Sequence, residues 1–165
     1  MTLEEFRRQK DARFREPDSP LTDKQRGSFS GLKYFPENRA LRFPLALNTD
    51  IPHEIVMMQT STGTLREYFR AGTVTVPVGP ERVTFVVYRD ANGYFLPFRD
   101  GTCERESYGA GRYLELEEQN GEILIDFNMA YSPYCAYNDR YSCPIPPREN
   151  WTSVRIEAGE QRFHV

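Results

Sequence analysis

Hydrophobic and polar residues alternate in short runs along most of this chain, the pattern typical of strands with one buried face. We predict strands over residues 41–47, 54–60, 65–70, 73–78, 82–89, 94–99, 112–117, 122–127 and 153–157. Turn-forming residues at 90–93 and at Asn120-Gly121 provide the positive-φ positions that tight hairpins need. Neighbouring strands are therefore expected to run antiparallel.

One amphipathic helix is expected before the first strand. Thr2 and Glu5 form a Thr-x-x-Glu capping box, and Pro17 ends the helical pattern. The apolar positions near one face of this helix, expected to pack on the sheet, are Leu3, Phe6 and Phe14. We assign residues 1–16 to the helix and residues 17–40 to an ordered arm.

The order of these elements predicts the fold class. No helical pattern separates the strands, so parallel crossovers are not expected. The sequence predicts a single mainly β domain over residues 1–165, with its β core at 41–165. An antiparallel barrel or a strongly curved sheet with one N-terminal helix is the architecture that fits.

Composition and charge narrow the class of protein. The aromatic fraction of 13% favours strands, and the net charge of −3 comes from interspersed acidic and basic residues. No basic stripe is available for nucleic acid, and no polybasic tract or long apolar run is available for a membrane. The charged start of the chain favours the cytoplasm. The pattern identifies neither a cofactor nor an oligomeric state.

A long connection over residues 126–150 carries the first candidate site. Loops of this length are usually functional or disordered, and this one has too many aromatic residues to be disordered. The polar side chains expected to point into a pocket are Asp126, Asn128, Tyr131 and Tyr137. Alternatively, the loop closes one end of the fold, and Asp126 and Asn128 only satisfy its backbone.

Arg112 is the second candidate. It follows Gly109-Ala110-Gly111, where the backbone can approach a partner closely, and its guanidinium could clamp a carboxylate or phosphate. Alternatively, Arg112 forms a buried ion pair that serves the fold, with Asp126 as the first candidate partner. Arg99 is a weaker member of the same set.

Three cysteines, Cys103, Cys135 and Cys143, are too few for a disulfide framework, and we expect them to be reduced. Seven residues separate Cys135 from Cys143, which is wider than common zinc motifs, so a metal site would need His164 as a distant ligand. Two buried structural thiols are the favoured interpretation. A redox pair is the intermediate one, because a folded loop can bring the two sulfurs together.

Several blocks of the sequence form a recognisable pattern: residues 72–81, 94–102, 108–114, 126–137, 143–150 and 158–160, together with the opening helix and residues 31–35. These blocks resemble the DUF1684 family of uncharacterised bacterial and archaeal proteins. Ser132 and Tyr134 stand where the family pattern has Asn and Pro. The resemblance implies a shared fold over nearly the whole chain and carries no established activity.

Three functions remain open from the sequence. The first is a small-molecule-binding domain with Arg112 as polar anchor and a ligand-binding set of Arg112, Asp126, Asn128, Tyr131, Tyr137 and Arg99. The second is a metal- or thiol-dependent enzyme that uses Cys135 and Cys143, and the third is a structural or protein-interaction module. No Gly-x-Ser-x-Gly motif or ordered pair of carboxylates assigns a catalytic residue.

Overall fold

The computed structural model describes residues 1–164. Its helices and strands are α1 (Leu3–Phe14), α2 (Asp23–Ser28), β1 (Arg42–Leu45), β2 (Ile55–Gln59), β3 (Leu65–Val78), β4 (Glu81–Asp90), β5 (Gly93–Phe98), β6 (Arg112–Leu116), β7 (Glu118–Gln119) and β8 (Glu122–Asp126). Short 3₁₀ helices lie at Arg39–Leu41, Phe127–Met129, Tyr134–Ala136 and Arg148–Asn150.

The strands form two antiparallel sheets. One sheet has five strands in the order β2-β3-β4-β5-β6, and the other has three in the order β1-β8-β7. The predicted mainly β, antiparallel fold is confirmed. The closed barrel is not found, because no strand pairing within residues 1–164 joins the two sheets into one ring.

β3 merges two predicted strands, 65–70 and 73–78, into one. The pairing with β4 shifts register between Arg70 and Gly72, so a bulge replaces the expected break. A Cβ at Gly72 would lie 2.5 Å from the Asn48 carbonyl oxygen. The glycine therefore allows the chain at Asn48 to approach closely and does not end the strand.

The predicted strand at 153–157 is wrong. Ile156 is buried, but the main-chain groups of residues 153–157 bond to a turn and not to a strand. Gly101 N–H donates to the Val154 carbonyl at 2.9 Å, and Ile156 N–H donates to Asp100 Oδ2 at 2.8 Å. Residues 153–157 therefore form an irregular segment beside residues 100–101.

The main core lies between the two sheets. In β8, Ile123 and Ile125 are fully buried, whereas Glu122 and Leu124 are exposed. The core-facing side chains of the five-stranded sheet include Val76, Val87, Leu96 and Leu114. A second, smaller cluster holds Met58, Tyr68, Val86 and Tyr88. The alternation in the sequence thus predicts which face of each strand is buried.

The N-terminal helix forms as predicted. Glu5 N–H donates to Thr2 Oγ1 at 3.1 Å and Thr2 N–H donates to Glu5 Oε2 at 2.7 Å, which completes the capping box. Phe14 is buried in a cluster with Leu21 and Tyr137. The predicted packing positions Leu3 and Phe6 are half-buried, and Phe14 packs on the arm and on the segment after β8 instead of on the sheet, so the predicted packing of this helix on the sheet is wrong for Phe14.

Candidate functional site

A groove of about 1080 Å³ lies beside edge strand β6. Four aromatic rings along it form a row, Tyr68, Phe95, Tyr113 and Tyr131. Ring centroids are 5.6 Å apart from Tyr68 to Phe95, 4.8 Å from Phe95 to Tyr113, and 5.7 Å from Tyr113 to Tyr131. Contacts at these spacings rigidify the rings, so the row is a preformed apolar wall in which Phe95 and Tyr131 are half-buried and Tyr68 and Tyr113 are buried.

Strand pairing explains why these rings meet. Leu96 and Leu114 pair in the β5–β6 register and enter the main core, which turns the neighbouring residues Phe95 and Tyr113 to the other face. Tyr131 joins them through a two-residue bridge with Tyr113, whose N–H···O distances are 2.9 and 3.1 Å. The row, with Tyr68 from β3, therefore draws on four separate parts of the chain.

The groove is acidic. Its charged lining consists of Asp90, Glu115, Glu117, Glu122 and Asp126 against Arg42 and Arg66. Arg42 lies 3.6 Å from Asp126, and Arg66 donates to the Ser142 carbonyl. Both cations thus have partners in the protein, and most of the carboxylates face the groove without a cation.

Tyr131 links the aromatic row to the acidic rim. Its hydroxyl donates to Glu115 Oε1 at 2.8 Å. Burial, together with this carboxylate, raises the pKa of Tyr131, so the phenol stays protonated and keeps donating. Glu115 is held at the groove with a second oxygen free for a ligand.

Arg112 lies outside this groove and is fully buried. Its guanidinium donates to the main-chain carbonyls of Ala158, Glu160 (3.2 Å) and Ile156 (2.9 Å), and Nη2 lies 3.4 Å from Asp100 Oδ1. Burial lowers the pKa of Arg112, and Asp100 opposes that effect. The alternative of a buried ion pair, formulated from the sequence, is the arrangement that the structure has.

The prediction that Asp126 is the partner of Arg112 is wrong. Asp126 pairs with Arg42 across the β1–β8 register, because β8 belongs to the three-stranded sheet and β6 to the five-stranded one. The hairpin at Asn120-Gly121 joins β7 to β8, so it does not bring β8 beside Arg112. The acidic partner of Arg112 is instead Asp100, which follows the end of β5.

Three other predicted site residues stabilise loops. Asn128 Nδ2 donates to the Asn38 carbonyl at 2.9 Å, and Tyr137 donates to the buried carboxylate of Glu160. Arg99 Nε donates to the Gly109 carbonyl at 3.0 Å, and its guanidinium lies over the Trp151 ring. Of the six predicted ligand-binding residues, only Asp126 and Tyr131 line the groove.

Cys135 and Cys143 lie together. Cys135 N–H donates to Cys143 Sγ at 3.4 Å, and the Tyr108 hydroxyl lies 3.7 Å from Cys135 Sγ. His164 is elsewhere, with Nε2 at 3.2 Å from the Tyr137 carbonyl. Within residues 1–164, no group of three or more His, Cys, Asp and Glu side chains is arranged to hold a metal ion.

Sequence and structure comparisons place the chain among known proteins. The family described as "Protein of unknown function (DUF1684)" matches residues 27–161. The chain belongs to the DUF1684 family. The expected resemblance is confirmed over most of the chain. No curated protein matches it.

A solved structure is similar to this DUF1684 chain. It is the solution NMR structure of an uncharacterised protein from gene locus rrnAC0354 of Haloarcula marismortui, with 36% sequence identity and a TM-score of 0.72. The match covers 96% of this chain and 91% of that chain. In residues 1–164 of the DUF1684 protein, none of the helices has the length and apolar character needed to cross a membrane.

Sequence reasoning missed most of the groove in this DUF1684 protein. Phe95 and Tyr113 sit in predicted strands and were assigned to no site. Each of these aromatic residues stands next to a leucine of the core, Leu96 or Leu114. Because side chains alternate along a strand, this position indicates that the aromatic ring lies on the opposite face of the sheet. Nothing in the sequence indicated that Tyr68 and Tyr131 would join the same row.

Proposed function

We propose that this DUF1684 protein binds a small organic cation in the acidic, aromatic groove beside β6. The observation that supports the proposal is a continuous row of four rings, Tyr68, Phe95, Tyr113 and Tyr131, under a rim rich in carboxylates. Aromatic faces and carboxylates attract the same positive group, and the rings also accept an apolar body.

The charge of the rim favours a cation over an anion. An anionic ligand would need an excess of guanidinium or ammonium groups, whereas five carboxylates line the groove against Arg42 and Arg66, and Arg42 is already paired with Asp126. Glu115, Glu117 and Glu122 are exposed carboxylates along the groove. Desolvation is modest in an open groove, so these charges would act together as a negative field.

Arg112 is not the anchor in this proposal. Its guanidinium is enclosed by Asp100 and three main-chain carbonyls, with no exposed surface left for a ligand. The polar contacts come instead from Glu115, Asp126 and the Tyr131 hydroxyl. The proposed pocket therefore keeps the arginine, aspartate and tyrosine lining expected from the sequence, with Arg42 in place of Arg112.

The presence of a cavity favours ligand binding over the protein-interaction alternative. An exposed apolar strip does exist on the β2–β3 hairpin, formed by Ile55, Met57, Leu65 and Phe69. The interaction alternative called for an exposed patch without a cavity, whereas the groove has the volume of a ligand site. The groove is therefore the feature on which the function is proposed.

Two probes of matched shape and one aromatic anion test the proposal. Benzyltrimethylammonium, its neutral analogue neopentylbenzene and the anion benzoate are titrated into the ¹⁵N-labelled protein, with chemical shifts as the readout. We expect saturable shifts at groove residues with the cation and weaker binding of the neutral compound. Saturable binding of benzoate in the groove, equal to that of the cation, would contradict the proposal.

Glu115→Gln and Glu81→Gln are the matched variants. Glu115 lines the groove, and Glu81 is exposed at the β3–β4 turn. Loss of the groove carboxylate should weaken the cation about 2- to 5-fold, the equivalent of ~0.5–1 kcal/mol for an exposed cation contact. Glu81→Gln should leave binding unchanged. Equal effects of the two variants would show that only the overall charge matters.

A further inference from the structure

The loop between the 3₁₀ helix Tyr134–Ala136 and Cys143 brings two cysteines together. The hydrogen bond from Cys135 N–H to Cys143 Sγ is 3.4 Å long, although the residues lie eight positions apart. The Cys143 sulfur therefore lies against the backbone of Cys135. Neither cysteine lines the groove, although the groove residues Arg66 and Tyr113 donate to the carbonyls of Ser142 and Pro144 on either side of Cys143.

Both cysteines are held by neighbouring backbone. Cys143 N–H donates to Ser61 Oγ at 3.1 Å, and Ser61 N–H donates to the Cys143 carbonyl at 2.9 Å. The 3₁₀ helix fixes Cys135 through the bond from Ala136 N–H to the Pro133 carbonyl at 2.9 Å. The sulfurs therefore meet in a defined geometry, without a hinge that must first close.

The two cysteine residues differ in exposure. Cys143 is buried, whereas Cys135 is only half-buried. The sequence favoured two buried structural thiols, and the half-buried Cys135 departs from that expectation. Cys135 is therefore the more accessible residue of the pair.

The pKa values of the two thiols also differ, and the less buried residue, Cys135, has the lower one. Hydrogen bonds from the Cys143 thiol and from the Tyr108 and Ser61 hydroxyls lower the pKa of Cys135 to about 6, although burial opposes them. The pKa of Cys143 is raised, because its proton is held in the bond to Cys135 and because it is buried. Near neutral pH the more exposed sulfur is the thiolate, which is the nucleophilic form.

Cys103 provides an internal contrast. Its sulfur lies 3.5 Å from the buried carboxylate of Asp100. Burial and this negative charge raise the pKa of Cys103. Cys103 should therefore stay a thiol under conditions in which Cys135 is ionised.

We propose that Cys135 and Cys143 form a peroxide-reactive dithiol, with Cys135 as the attacking thiolate, Cys143 as the resolving thiol and a hydroperoxide as oxidant. The pairing of an accessible sulfur with a protected neighbouring thiol is the arrangement used by redox-active cysteines. A hydroperoxide is small enough to reach a half-buried sulfur. Tyr108 lies at the same sulfur and orients it by its hydroxyl.

The chemistry balances in two steps. The Cys135 thiolate attacks the terminal peroxide oxygen, an S–O bond forms, and the O–O bond breaks to release an alcohol, or water from hydrogen peroxide, after protonation. The Cys143 sulfur then attacks Cys135, an S–S bond forms, and the S–O bond breaks with release of water that carries the Cys143 proton. The two thiols lose two electrons, and the hydroperoxide gains them.

Thiol mapping after peroxide treatment tests the proposal. The full-length protein is reduced, desalted, treated at pH 7 with an equimolar amount of hydrogen peroxide, blocked with N-ethylmaleimide and mapped by mass spectrometry. We expect a Cys135–Cys143 disulfide that dithiothreitol reverses, with Cys103 alkylated. Oxidation of Cys135 should be at least about 10-fold faster than that of Cys103, in line with its larger thiolate fraction.

Single-cysteine variants separate the two roles. Cys143→Ser should accumulate a sulfenic acid at Cys135 that reacts with dimedone, and Cys135→Ser should leave Cys143 a thiol. Cys103→Ser is the matched control and should still form the disulfide. Three free thiols after excess peroxide, or oxidation of Cys103 first, would overturn the proposal.

Alkylation of the wild-type protein gives a test that needs no variant. The rate of iodoacetamide reaction at Cys135 should follow its thiolate fraction, with a midpoint near the pKa of about 6. The rate therefore falls below that pH and is constant above it. A midpoint above 8 at Cys135 would contradict the assigned nucleophile.

Discussion

At the residue scale, Arg112 combines full burial with partners at both Nη atoms, whereas its buried Nε has none. Its guanidinium bonds to Asp100 and to the carbonyls of Ile156, Ala158 and Glu160. The cost of burying an arginine predicted that it would find an acidic partner, and it does. The sequence did not identify Asp100 as this partner. The prediction of Asp126 assumed that β6 and β8 are strands of the same sheet, and they belong to different sheets.

Arg112→Ala should therefore destabilise the fold. It leaves the buried Asp100 carboxylate without its cation and three main-chain carbonyls without the guanidinium, and the expected loss is about 3–5 kcal/mol in the free energy of unfolding. Urea denaturation measures the change. The exposed Arg82 is the control, and Arg82→Ala should stay within ~0.5 kcal/mol of wild type. A loss below ~1 kcal/mol for Arg112→Ala would show that the pair is not structural.

Tyr108→Phe addresses the acidity of Cys135. Removing a hydroxyl that donates to the thiolate raises the pKa of Cys135, so alkylation at pH 6 should be about 3-fold slower. Tyr134→Phe removes an exposed hydroxyl in the same 3₁₀ helix and should leave the rate unchanged. Equal rates for both variants would show that Tyr108 does not hold the thiolate.

At the element scale, α1 is attached through a buried ion pair. Lys10 donates to Glu160, which also accepts from Tyr137 and from Ser132 N–H at 3.4 Å. The capping box at Thr2 indicated where this helix begins. The pattern of apolar residues in this helix did not indicate that Lys10 would be buried. Its partner Glu160 lies 150 residues away in the sequence, and no local pattern predicts that contact.

A double-mutant cycle should measure this attachment. Lys10→Met leaves Glu160 buried without its cation and is expected to cost about 3–5 kcal/mol in unfolding free energy. Adding Glu160→Gln should recover part of that loss, with a coupling of about 0.5–3 kcal/mol between the two positions. Urea denaturation of the four proteins gives the coupling. Strict additivity would mean that the ion pair does not attach the helix.

Other elements show where local patterns were ambiguous. α2 has its own capping box at Thr22 and Gln25, but six residues in a Pro- and Ser-rich arm were too few to indicate a helix. β3 reads as two strands because Ala71-Gly72 resembles a break. Propensity describes a residue and its neighbours, whereas these outcomes depend on a distant segment that packs or bonds there.

At the scale of the whole molecule, the groove has no short sequence motif. Its rings come from β3, β5, β6 and the segment after β8, so only the completed sheet brings them together. The sequence could predict that residues 126–150 contribute to a site, since Tyr131 stands out in a long connection. The cytoplasmic location and the lack of nucleic-acid partners stay predictions.

The two sheets share one core, which predicts a single cooperative unfolding transition. Far-UV circular dichroism reports on both sheets. Fluorescence of the only tryptophan, Trp151, reports on the segment held by its indole N–H bond to the Pro146 carbonyl at 2.7 Å. The two probes should give coincident midpoints in urea. Separated midpoints would divide residues 1–165 into more than one folding unit.

The surroundings of Arg112 also set an order of events during synthesis. Three of its four acceptor groups, the carbonyls of Ile156, Ala158 and Glu160, are translated more than forty residues after it. While the ribosome is adding those residues, β6 carries a cation that has only Asp100 to meet it and stays hydrated. The arginine can therefore reach these acceptors only after residues 156–160 have left the exit tunnel, so we expect closure of the core over β6 to be a late step of folding.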